Sequence, residues 1–233
     1  MVSPERIQEL TSLQTALKYS FSDAGLLNKA LTHKSFTNEN AEAIKNNERF
    51  EFLGDSVLDL IVSDYLIHTY QDYSEGRLSK IRAAVVNETC LAALARGLDL
   101  GRYLLLGKGE SLSGGREKNS LLANAYEALV GAIYRDSSLE TATRILLPKL
   151  ESEIKKFSET ENFQDFKSEL QEFTQVNFNC IPTYKVVRQH GPDHDKTFEV
   201  AVTIQGREQG MGSGHSKKEA EQAAARRALL VLT

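Results

Sequence analysis

The stretch Asn47-Glu48-Arg49-Phe50-Glu51-Phe52-Leu53-Gly54-Asp55-Ser56-Val57-Leu58-Asp59-Leu60 constrains this chain more than any other. Its periodicity predicts the start of a long helix. At about 100° per residue, Glu48, Glu51, Asp55 and Asp59 fall within an arc of roughly 80°. Phe50, Leu53, Val57 and Ile61 fall on the other side, together with Leu58 and Leu60. One side suits a core and the other gathers carboxylates. Like charges at i,i+3 and i,i+4 repel by a few tenths of a kcal/mol per pair. A hard divalent cation such as Mg²⁺ offsets that repulsion, because it prefers oxygen ligands and is often held by carboxylates plus substrate phosphate. A solvated acidic face is the plain alternative, and the residues alone leave both open.

A second helix, Ser120 to Arg135, is apolar nearly all round and is therefore expected to be buried. Asn124 and Glu127 interrupt it on one face. A carboxylate in such a helix must be paired, hydrogen-bonded or metal-bound, since isolated burial is costly.

Earlier in the chain, Ser3-Pro4-Glu5 has the residue order of a helix start, followed by a stripe of Ile7, Leu10, Leu13 and Leu17. Ser22-Asp23 predicts a second helix ending near Thr32-His33-Lys34-Ser35-Phe36. His33 is expected to be a structural histidine rather than a metal ligand. Ser79 to Arg96 reads as one further helix, and Pro148 as a helix start or kink. The glycine-rich segment holding Lys108, Arg116 and Lys118 lacks P-loop spacing and is at most a weak phosphate contact.

The string from Asn47 to Leu58 closely resembles the signature of the ribonuclease III family, whose members cut double-stranded RNA with Mg²⁺. Leu27-x-x-Ala30-Leu31-Thr32-His33-x-Ser35-Phe36 resembles that family's opening helix, and Glu75-Gly76-x-Leu78-Ser79 a further motif. Around Asn124 the family pattern is Ala-Asp-x-x-Glu-Ala. Glu127 matches it, whereas Asn124 stands where the family usually has Asp. An Asn carbonyl still offers an oxygen ligand, but the site carries one negative charge fewer.

From Phe163 the pattern changes to helix, three alternating strands and helix. The string Gly212-Ser213-Gly214-His215-Ser216-Lys217-Lys218-Glu219-Ala220 resembles a double-stranded RNA-binding domain. Lys217 and Lys218 fall where a helix N-terminus favours phosphate. By resemblance, Gln171 and Gln175 face one minor groove of the duplex and His194 reaches another. Each alone reads more readily as an ordinary surface residue; together they sit where the module's contact regions belong.

The resemblance implies an all-α endonuclease domain over 1–156, a linker over 157–162 and a small α+β (α-β-β-β-α) binding domain over 163–233. It implies Glu51, Asn124 and Glu127 as metal ligands, Asp55 and Glu127 as catalytic residues, and Glu48 and Glu75 as additional acids. The implied cofactor is Mg²⁺, with Mn²⁺ able to substitute, and no small-molecule cofactor. The implied reaction leaves 5′-phosphate and 3′-hydroxyl ends with short 3′ overhangs, in the processing of rRNA and mRNA precursors. The implied assembly is a homodimer, with Phe52 as a contact; core packing is the alternative for Phe52. A second reading, motivated by Asn124, is a cleavage-deficient protein that only binds double-stranded RNA.

Composition sets the frame. The formal net charge of −4 argues against diffuse nucleic-acid binding, so any RNA contact must come from local patches. Cys90 and Cys180 are far apart and lack zinc-site spacing, which fits a reducing cytoplasm. No apolar run approaches a membrane span, and no secretory leader opens the chain.

Overall fold

A computed structural model describes residues 2–40, 45–159, 165–192 and 195–232. It contains a helical unit and, C-terminal to it in sequence, a three-stranded α+β unit.

The helical unit begins with α1 (Pro4–Leu17), where Ser3 Oγ accepts from the Arg6 N–H at 3.2 Å. The predicted second helix is in fact two, α2 (Ala24–Ala30) and α3 (Lys34–Glu39). His33 causes the break: its backbone is extended and its ring nitrogen accepts from the Ser35 N–H, capping α3. This is the structural role expected of it, and burial pushes its pKa down.

The signature segment forms α4 (Glu48–Thr69). The helix expected from Ser79 to Arg96 is split into α5 (Glu75–Val85) and α6 (Glu88–Gly97), because the Asn87 side chain caps α6 by accepting from the Cys90 N–H at 2.8 Å. Two short helices, α7 (Leu100–Tyr103) and α8 (Lys108–Leu112), and a 3-10 turn, Gly115–Glu117, lead into α9 (Asn119–Asp136). Next comes α10 (Leu139–Ser158), with Pro148 inside it rather than at its start. It carries the helix two residues into the segment expected as linker.

As its composition requires, α9 is the hub. Its residues from Leu122 to Ile133 are buried apart from Asn124 and Glu127, which are half-buried. It packs on α4, α6, α2 and α10. Its crossing with α4 is close because glycines face backbone: a Cβ at Gly54 would collide with the Glu127 carbonyl oxygen, and one at Gly131 with that of Phe50. Phe50, Val57, Leu58 and Ile61 of α4 are buried as expected. Leu60 departs from expectation: it is 52% exposed, in line with Phe52 and Ile67.

In the second unit, α11 (Phe166–Phe178) precedes β1 (Thr183–His190), β2 (Thr197–Ile204), β3 (Arg207–Gly214) and α12 (Lys217–Leu232). The strands form an antiparallel sheet in the order β1-β2-β3. Leu170, Val200, Val202 and Ile204 pack with the alanine stripe of α12, Ala220, Ala224 and Ala228. Gly210, Gly212 and Gly214 alternate along β3 directly against the α12 backbone, which lets helix and sheet approach closely. Gln205 and Gly206, both at positive φ, make the tight turn between β2 and β3. Among the described residues no helix is long and apolar enough to cross a membrane.

Candidate active site and nucleic-acid interface

The close α4–α9 crossing determines which side chains meet. Gly54 lies against Glu127, one residue before Asp55 and three after Glu51, so the helices hold these carboxylates at one edge of the crossing. Glu127 is half-buried and Asp55 exposed. Burial, then repulsion from Asp55 and from Glu51, pushes Glu127 up to about 7. Glu51 is also raised, by burial first and then by Glu48; Lys34 and the Asn124 amide favour its ionised form. Glu51, Asp55, Asn124 and Glu127 thus form one electrostatically coupled group, and Asn124 sits on the Glu51 side of it.

Glu48 is exposed at the rim. It pairs with Lys34 at 3.2 Å and accepts from the Asn46 side-chain amide at 3.1 Å. Nothing in the sequence singles out Lys34; it lies on another helix, and its approach depends on tertiary structure. Glu75 opens α5 and is exposed.

The donor set is wholly oxygen, which suits a hard divalent cation, and the mutual repulsion of half-buried carboxylates is what such a cation relieves. Among the described residues no three His, Cys, Asp or Glu side chains converge as a ready-made metal cage. An ion held here would need the Asn124 carbonyl, water or phosphate to complete its shell.

The glycine-rich loop is a structural element rather than a phosphate cradle. Arg116 donates to the carbonyls of Gly101 and Arg102, at 2.7 and 3.0 Å. Lys118 is held by Glu110 at 2.5 Å and by Ser113.

Phe52 is 78% exposed, so it is not part of the core. Phe52, Leu60 and Ile67 lie along one side of α4 within an arc of about 80°, adjoining the acidic side.

In the second unit Gln171 and Gln175 are exposed, one turn apart on α11, while Leu170 and Thr174 face inward. Lys217 and Lys218 are exposed in the first turn of α12. Ser216 caps that helix by accepting from the Glu219 N–H at 3.2 Å, and the Glu219 carboxylate accepts from the His215 N–H at 2.9 Å. His194 lies outside the described residues.

Comparison with known proteins agrees with both halves. Residues 23–154 match the ribonuclease-III-like family model, and residues 166–232 match the double-stranded RNA binding motif. Ribonuclease 3 of Syntrophobacter fumaroxidans is 46% identical over 229 residues, covering 96% of this chain and 94% of that protein. Ribonuclease 3 of Treponema denticola is 45% identical over 225 residues, covering 97% and 92%. Among solved structures, the nuclease domain of Ribonuclease III from Campylobacter jejuni matches with a TM-score of 0.58 at 46% identity, over 62% of this chain and 97% of that one. A helical nuclease unit with a carboxylate site, followed by a double-stranded RNA-binding unit, defines an endoribonuclease. The chain belongs to the ribonuclease III family.

Proposed function

We propose that this chain cleaves double-stranded RNA with a divalent metal, Mg²⁺ or Mn²⁺, at the α4–α9 crossing. The observation that carries this reading is the coupling of Glu127 to both Asp55 and Glu51 in a half-buried site. Two relatives called Ribonuclease 3, matched over 94% and 92% of their length, add support. Glu51, Asn124 and Glu127 are the proposed ligands. A bound divalent cation supplies Lewis acidity at the scissile phosphate and lowers the pKa of water.

The chain's own side chains do the rest. Asp55, one turn beyond Glu51 and open to solvent, orients the attacking water. Glu127 shares that role, accepting the water's proton at its free carboxylate oxygen and returning it. Water oxygen bonds to phosphorus and the P–O3′ bond breaks. The leaving 3′ oxygen is protonated, and a 5′-phosphate remains. Glu48 and Glu75 are proposed as outer acids. Gln171, Gln175, Lys217 and Lys218, with His194, form the proposed duplex-binding face.

We further propose a homodimer through the Phe52–Leu60–Ile67 stripe. Exposed apolar stripes of this kind mark association surfaces, and the Campylobacter nuclease domain has a region involved in dimer formation. Each subunit's acidic site then lies beside the interface, which suits paired cuts on opposite strands and short 3′ overhangs. The proposed setting is the processing of rRNA and mRNA precursors in the cytoplasm, within domains spanning 1–156 and 163–233 joined by 157–162.

Asn124 favours one alternative, a protein that binds duplex RNA without cutting it. Incubating a labelled duplex with Mg²⁺, and comparing the chain with Asn124→Asp, separates the two. Cleavage by both, with 5′-phosphate ends, supports the nuclease. Cleavage by Asn124→Asp alone supports the binding protein. Cleavage by neither contradicts the proposed site.

A further inference from the structure

We propose that Lys34 is a built-in counter-cation of the acidic site. Its ammonium occupies the Glu48–Glu51 edge in the metal-free chain, and a divalent ion entering at Glu51 must bind against it. The inference rests on the ligand role proposed above for Glu51.

Backbone geometry puts the lysine there. The Asn47 N–H donates to the Thr32 carbonyl at 2.9 Å, joining the start of α4 to the segment entering α3. The His33 N–H donates to the Leu105 carbonyl at 3.0 Å, and Ser35 Oγ accepts from the Gly107 N–H at 2.9 Å. At the other end of α3, Glu39 accepts from the Lys108 N–H at 2.9 Å. With α3 fixed at both ends, Lys34 Nζ reaches Glu48 Oε1 at 3.2 Å, one helical turn from Glu51.

The neighbouring charges do not duplicate it. Lys118 is paired with Glu110 at 2.5 Å, and Arg116 is bound to backbone carbonyls. His33, the ring nearest Lys34, is pushed toward its neutral form by burial. The side chains of Lys34 and Glu48 are 59% and 52% exposed, and ion pairs so exposed contribute little to stability. Folding alone therefore does not account for a lysine at this point. As a counter-cation it raises the metal concentration at which the site fills.

The test measures Mn²⁺ binding to the full chain without RNA, by the resonance of free Mn²⁺, at pH 8 and low salt. Lys34→Met is expected to bind Mn²⁺ roughly three- to tenfold more tightly, the scale of one charge removed near a divalent ion in a largely aqueous setting. Lys34→Arg, which keeps the charge, is expected to stay near the unsubstituted chain. Added salt is expected to narrow the gap between Lys34→Met and the unsubstituted chain. Unchanged or weaker binding by Lys34→Met overturns the counter-cation role alone, as does Lys34→Arg behaving like Lys34→Met. If none of the three binds Mn²⁺, the metal reading fails and the counter-cation role fails with it.

Discussion

At the scale of single residues, Glu127 carries the most information. Its folded-state pKa, about 7, lies above that of an ordinary carboxylate, so the folded chain holds a proton the unfolded chain has already released. Below about pH 4.3, the ordinary Glu value, both states are protonated and the residue is neutral to stability. Between there and 7 the folded state binds more protons, so stability falls as pH rises; above 7 the full cost remains. Glu127→Gln removes the charge and keeps the shape. In metal-free buffer at pH 8 it is expected to melt above the unsubstituted chain, by about 2–4 °C for each kcal/mol of relieved repulsion. At pH 4 that advantage should vanish, and thermal melts across this range check it. Asn124 works in the opposite sense. Being neutral, it leaves less negative charge at the crossing than an acid there would.

At the scale of elements, α4 and α9 explain why the site lies where it does. Gly54 and Gly131 let the helices touch through backbone, and that contact brings Glu51 and Asp55 beside Glu127. A side chain at either glycine would push the helices apart and the carboxylates with them. Both helices are legible in the sequence, because α4 has a two-sided pattern and α9 is apolar nearly all round. The binding unit is legible for a similar reason: strand alternation and a regular alanine stripe are local signals. What escapes depends on capping and long-range geometry. His33 and Asn87 each end one helix and cap the next, so two predicted helices are four in the fold. Leu60 reads as core because apolar residues usually are, yet it lines the outer stripe. Lys34 reaches the site through long-range bonds such as that between Thr32 and Asn47, which no spacing rule reveals. The outer stripe carries its own expectation: Phe52→Lys should weaken self-association by more than about tenfold, as for a central apolar anchor. Sedimentation velocity reads this, and an unaltered dimer would place the interface elsewhere.

At the scale of the whole molecule, an acidic chain has to attract a polyanion, and it does so by division of labour. The nuclease unit gathers its carboxylates at the α4–α9 crossing. The second unit presents Lys217 and Lys218 at a capped helix start, where backbone N–H groups already favour phosphate. Replacing both lysines by alanine should weaken duplex binding and lower the salt dependence of log K by about 2, near one per phosphate contact. Affinity measured across a salt series checks this, and an unchanged slope would move the binding face. The central claim, that the α4–α9 crossing is the cutting centre of a duplex-binding enzyme, is tested most directly by one comparison. Cleavage and binding of the same labelled RNA duplex in Mg²⁺ should be measured for the chain and for Glu127→Gln. Glu127→Gln is expected to bind the duplex as the unsubstituted chain does, with cleavage abolished. Cleavage that survives in Glu127→Gln would contradict it.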